Sequence, residues 1–186
     1  MNMLLMTLLG IAISVLIYTG MNQFASFHAQ KPSDYEGQLP RFDIREVLNG
    51  KMITEGIIYG PTGRVSSRFV ATMNANWSGQ TGTMTEHFIY SSGREQNRAW
   101  AFNMSGADGK FTATAPDIIG IAHGQQMGAT VRLTYRIQLP EDAGGHVLDV
   151  VDWMYLLENG SVMNRSQFRK FGIKVAELVA TFRPVD

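Results

Sequence analysis

From Lys51 to the C-terminus the sequence alternates between apolar and polar residues with a period of two, and turn residues interrupt it about every eight to fourteen positions. The turns are YGPTGR (59–64), WSGQTG (77–82), SSGR (91–94), SGADGK (105–110), AHGQQMG (122–128), PEDAGGH (140–146) and ENGS (158–161). The segment TVRLTYRIQL (130–139) shows the pattern best. Val131, Leu133, Tyr135, Ile137 and Leu139 point one way, while Arg132, Thr134, Arg136 and Gln138 point the other. The spacing predicts about nine antiparallel strands with no helical crossover. Such a meander must close on itself or pack as two sheets to hide its edges. An antiparallel up-and-down β-barrel is the simpler solution and a sandwich the alternative.

At 186 residues the chain fits one domain with an appendage. Sixteen basic residues balance sixteen acidic ones, so no long-range field draws the protein onto nucleic acid. There is no cysteine, which excludes a disulfide framework, a thiolate metal site and a cysteine nucleophile.

Every one of those charges lies at or beyond Lys31. Before them, Met3 to Met21 reads MLLMTLLGIAISVLIYTGM, and as a helix this run would be about 28 Å long, close to the hydrocarbon thickness of a bilayer. A cleaved signal peptide would show a basic leader, a shorter apolar run and a small-x-small cleavage site. No Lys or Arg precedes the run, and the candidate positions around Ala25 and Ala29 put Phe27 where a small residue is preferred. Residues 1–23 are therefore read as a transmembrane anchor whose membrane contact is residues 3–21, residues 24–41 as a linker and residues 42–186 as the barrel domain. Lys31 and Arg41 follow the helix, but Asp34, Glu36 and Asp43 dilute them, so the positive-inside rule gives only a faint vote for the cytoplasm. Within FDIREVLNG (42–50), Phe42, Val47 and Leu48 share one side of a helical turn capped by Asp43 and stopped by Gly50. This turn is expected to plug the entry to the sheet.

No chemical motif stands out. His28, His87, His123 and His146 lie far apart, which gives no support to a metal site. No serine sits in a nucleophile elbow and no glycine-rich loop joins a strand to a helix, so no catalytic residue and no cofactor are assigned. The densest stretch is residues 146–171. There Asp149, Val151, Trp153 and Tyr155 share one face of a strand, and Val150, Asp152, Met154 and Leu156 the other. An aspartate among apolar neighbours is costly unless paired. Arg165 or Arg136 would be natural partners, with Asn164 able to bridge. The plainer reading is an ion pair that pins strand register, and the functional one is a polar anchor for a ligand head group. Within residues 86–104, Glu86 and Tyr90 share a face, as do Arg98, Trp100, Phe102 and Met104 on the next strand, so Arg98 can close over Glu86 across the hairpin. Candidate ligand-contacting residues are Glu86, Tyr90, Arg98 and Trp100 on this pair, Tyr135 and Arg136 on the central strand, and Asp152, Trp153, Tyr155, Asn164 and Arg165 on the last hairpin.

The segments Asp152-Trp153-Met154-Tyr155-Leu156, Asn164-Arg165-Ser166 and Lys170-Phe171-Gly172, with GIIYGPTGRV (56–65) and EHFIYSSG (86–93) upstream, resemble the bacterial domain of unknown function 3833 family. The resemblance covers residues 40–183 and implies a lipocalin-like barrel of calycin type. It also implies a place in the bacterial envelope among lipoprotein-like relatives, with the barrel on the periplasmic side of the inner membrane. This sequence departs from them in lacking a lipobox cysteine, which leaves the apolar segment as the only anchor. The family brings no activity with it.

Three readings follow. The first is a membrane-anchored module binding a lipid or another apolar small molecule in the barrel. The second is a structural or interaction protein with a packed interior, and the third an acid/base enzyme using Asp152, Arg165, Arg136 and Glu86 on a lipid-like substrate. Nothing in the sequence names a protein partner. A hollow interior of about 300 Å³ or more would favour binding.

Overall fold

A computed structural model describes residues 2–24, 26–106 and 108–185, and the candidate cleavage position at Ala25 lies outside them. Helix α1 (Met3–Phe24) is apolar and long enough over Met3–Met21 to cross a membrane, and none of the described side chains of that run is buried against the rest of the chain. A short helix α2 (Ile44–Val47) leads into ten strands: β1 (Gly50–Tyr59), β2 (Val65–Ser78), β3 (Thr81–Tyr90), β4 (Glu95–Met104), β5 (Lys110–Thr114), β6 (Ala122–Met127), β7 (Thr130–Gln138), β8 (Val147–Leu156), β9 (Val162–Lys170) and β10 (Ile173–Pro184). They follow one another around a closed antiparallel barrel in which β1 pairs with β10, from Met52 opposite Pro184 to Tyr59 opposite Glu177. Closure leaves no edge strand exposed.

The tenth strand is the one that alternation conceals. Residues 122–127, expected as part of a turn, form β6, and the turn itself is confined to 128–129. The inward residues Ala122 and Gly124 carry almost no side chain, so β6 shows no apolar alternation.

Their smallness has a structural cause. Three glycines face an aromatic residue directly across a strand pair: Gly56 opposite Phe69, Gly82 opposite Trp77 and Gly124 opposite Phe111. Each ring lies flat over its glycine, so closely that a β-carbon would come within 2.3, 2.5 and 2.1 Å of ring atoms. The Phe69 and Phe111 rings line the lumen wall in this way, while Trp77 lies against the plug, as glycines at barrel bends allow. Gly124→Ala is accordingly expected to destabilise the barrel by about 1–3 kcal/mol, read from the urea midpoint. A loss well under that range would mean that the Phe111 ring can move aside.

The barrel has two different ends. One carries turns 79–80, 128–129 and 157–161 and is closed by α2. Asp43 caps this helix by accepting from the Arg45 backbone N–H at 2.9 Å, as the sequence suggests. Phe42, Ile44 and Leu48 are buried in the core as the plug. Two long-range bonds hold it: Trp77 Nε1 donates to the Leu48 carbonyl (2.8 Å) and the Ile44 N–H donates to Gln126 Oε1 (3.1 Å). The opposite end, with turns 60–64, 91–94 and 171–172 and the loops 115–121 and 139–146, is the mouth.

The segment read as a linker is docked as a strap on the outer wall. Phe27 is buried beneath the Arg165 guanidinium, 4.9 Å from its ring centroid. Tyr35 packs on Trp153 and Tyr155 at ring distances of 5.3 and 5.9 Å, and Gln30 Oε1 accepts from both tyrosine hydroxyls. Gly128 (φ +53°) lets the strap lie against the backbone, because a β-carbon there would come within 1.9 Å of the Tyr35 carbonyl oxygen.

Candidate functional site

Inside the barrel, alternation delivers inward residues of every strand but β6 to one lumen of about 430 Å³. Its floor is Ile44 and Leu48 of the plug, and its mouth is lined by Ser66, Arg94, Pro140 and Ala143. An ion pair between Arg94 Nη1 and Asp142 Oδ1 (3.3 Å) joins the turn 91–94 to the loop 139–146 across this mouth, and Arg94 also lies 4.5 Å over the Tyr90 ring.

Below this polar mouth the walls are largely apolar, with the buried charged groups gathered at mid-height. There Glu86 and Arg98 stand opposite each other on β3 and β4, and Asp152 on β8 stands opposite Ser166 on β9. Trp100 Nε1 donates to Glu86 Oε2 at 3.2 Å. Arg98 sits 4.2 Å above the Trp100 ring and pairs with Asp117, its Nε 3.0 Å from the carboxylate. Asp152 accepts from Ser166 Oγ at 2.8 Å and from Asn164 Nδ2, which also donates to the Trp153 carbonyl. Tyr135 is buried beside Arg98, whose guanidinium carbon is 5.7 Å from its ring.

Burial decides the charge of this belt. It pushes the Glu86 carboxyl up to about 7, against the opposing pull of Arg98 and the Trp100 N–H. Burial also raises Asp152 above its ordinary value, although Asn164, Ser166 and Arg98 work against it. Near neutral pH the protonated form of Glu86 is thus within reach, and in that form the carboxyl can donate as well as accept. Arg98 Nη2 is buried with no hydrogen-bond partner among the described residues. An orphaned cationic donor beside a carboxyl of switchable proton occupancy suits an oxygen-bearing polar group held within an otherwise apolar lumen.

Of the eleven candidate residues, Glu86, Tyr90, Arg98, Trp100, Tyr135, Asp152 and Asn164 line the lumen. The other four face outward. Arg136 pairs with Asp149 (3.5 Å) and Arg165 with Glu177 (3.0 Å), so neither reaches Asp152, and the partners of that carboxyl are the neutral Asn164 and Ser166. Pleating alone dictates this, because residues an odd number of positions apart on a strand point to opposite faces. Trp153 and Tyr155 hold the strap. Glu86 and Arg98 do stand opposite each other as the hairpin suggests, but the ion pair of Arg98 goes to Asp117. Asp117 belongs to the loop 115–121, which the Ile118–Ile137 bridge and the Gln138 N–H to Asp117 carbonyl bond (2.8 Å) fold over β7. No local pattern marks it. Ser166 was legible as the residue two beyond Asn164 on the same face, and the alternation pattern would have found it.

Comparison with known proteins agrees with this architecture. The family described as "Protein of unknown function (DUF3833)" matches residues 21–184. No curated protein matches the sequence. Among solved structures, the S-type phycobiliprotein lyase CPES from Guillardia theta superposes with a TM-score of 0.57 at 6% identity, covering 77% of this chain and 91% of its own. Rv2717c from M. tuberculosis superposes with a TM-score of 0.56 at 15% identity, covering 80% of this chain and 99% of its own. At these identities the likeness is one of fold, a lipocalin-like calycin barrel.

Proposed function

The chain belongs to the DUF3833 family of proteins of unknown function, and we propose that it is a membrane-anchored, lipocalin-like protein that binds a lipid or another apolar small molecule in its lumen. The observation that carries this is the 430 Å³ interior, largely apolar along its walls below a polar mouth, with its buried carboxyls and Arg98 at one level. That volume falls in the range of small-molecule sites, about 300–1,000 Å³. It does not suit the alternative of a packed structural barrel. The fold shared with a phycobiliprotein lyase supports a lumen used for a small molecule. Arg98 Nη2 and Glu86 would hold the ligand's oxygen-bearing end, with Met73, Met84 and Leu133 along its apolar body. In this reading residues 3–21 span a bacterial inner membrane and the barrel faces the periplasm.

Native mass spectrometry of the full chain extracted in mild detergent is the test. A co-purified small molecule is expected, and Ala176→Trp, which projects an indole into the lumen from β10, is expected to eliminate it without unfolding the barrel. Absence of any adduct on the unaltered chain, or an adduct that survives Ala176→Trp, would count against luminal binding.

A further inference from the structure

The lumen explains the interior, but not the distribution of apolar side chains outside it. Val65, Val70, Ile89, Ile119, Ile121, Phe171 and Ile173 are exposed toward the mouth end, against Val185 and the strap's Leu39 at the plug end among the described residues. The β9–β10 hairpin is the extreme case. Phe171 is 90% exposed and Ile173 70%, and Phe171 holds a left-handed backbone (φ +52°) that a non-glycine residue adopts only at a cost. Among the described residues the ring meets the Lys170 ammonium, 5.9 Å from its centroid, a distant contact that offsets little of that cost.

Around this tip the sequence is Arg169-Lys170-Phe171-Gly172-Ile173-Lys174. Arg169 braces the turn by donating to the Gly172 carbonyl (2.7 Å), and Lys170 lies 3.1 Å from His146 Nδ1. Glu177 takes up Arg165 and Lys174, and Asp149 takes up Arg136. Arg169 and Lys170 have no acidic partner among the described residues. An exposed aromatic and an aliphatic residue flanked by uncompensated cations suit the interface of an anionic bilayer, where the apolar tips sink and the cations meet lipid phosphates.

Covalent reach leaves the hairpin within range of such a surface, as it does the plug-end turn at Asn159, which is likewise six residues from Arg165, so the choice of end rests on the apolar and cationic side chains. Helix α1 ends at Phe24 and Phe27 is already docked on β9 at Arg165, so three residue steps, at most about 11 Å, separate helix end from barrel. From Arg165 the hairpin tip lies about 20 Å further along the same strand. Phe168 and Ala176, on the inner face of this hairpin, line the lumen.

We propose that the mouth end docks on the anionic leaflet of the membrane that holds α1, with Phe171 and Ile173 inserted, so that the lumen opens toward lipid. This rests on the anchored reading of the helix. The chain has no cysteine, so single probes are clean. Ile173→Cys and, at the plug end, Asn159→Cys would each carry an environment-sensitive fluorophore on the full chain, reconstituted into phosphatidylglycerol-rich vesicles containing spin-labelled lipid. The probe at 173 is expected to brighten severalfold and to be quenched by the spin label, and the probe at 159 to stay aqueous. Adding Phe171→Asp should abolish the quenching while the protein stays resistant to alkaline extraction. Equal responses at both positions, or a probe at 173 that stays wet, would overturn the proposal and leave the tip to a protein partner. Release of the unaltered chain by alkaline extraction would instead remove the anchored reading, and the docking with it.

Discussion

Trp153→Ala is expected to cost about 3–5 kcal/mol and to lower the melting temperature by roughly 10 °C. Trp153 is fully buried although it points away from the lumen, stacked with Tyr155 at 6.1 Å and covered by Tyr35. Its indole N–H has no partner among the described residues, so the loss is one of packing and cavity formation, with no hydrogen bond involved. The strap should loosen with it, since Tyr35 and, through Tyr155, Gln30 lean on the same surface. Calorimetry in detergent gives the first number, and faster amide exchange across residues 27–42 reports the second. A loss below about 1 kcal/mol would show that the strap carries none of the barrel's stability.

Glu86→Gln should remove most of a pH dependence built into the lumen. The folded protein releases the Glu86 proton near 7, and the unfolded chain near 4.5. Between those values the folded state binds more protons, so stability falls as pH rises through that window, by about 3 kcal/mol in all, and stays low above it. Asp152, raised by burial as well, acts in the same direction. Glutamine keeps an acceptor for Trp100 Nε1 and carries no charge to desolvate. Urea titrations should therefore show the variant more stable by up to ~3 kcal/mol at pH ~8 and indistinguishable from the unaltered chain at pH ~4. A variant that is less stable at the higher pH would mean that Arg98 stabilises the carboxylate by more than its burial costs.

Several features were legible before folding was considered. Period-two alternation separated Asp152 from Trp153 and Glu86 from His87, because a pleated chain has only two faces. Recurrent turns and the lack of a helical crossover pointed to closure, and the barrel followed. The Asp43 cap was visible in FDIREVLNG as a local signal, and the charge-free run Met3–Met21 as a matter of composition. Alternation reports that a face is buried but not by what. On β8 both faces are covered, Asp152 by the lumen and Trp153 by a strap more than a hundred residues earlier in the chain, so Arg165 and Trp153 entered the candidate site from the wrong side of the wall. The pairing of Arg98 with Asp117 and the strand at Ala122–Met127 depend in the same way on contacts between distant segments. Whether the barrel is hollow was likewise a tertiary matter. It turns in part on the Phe69 and Phe111 rings lying over Gly56 and Gly124 on neighbouring strands, and that geometry exists only once the strands are paired in register.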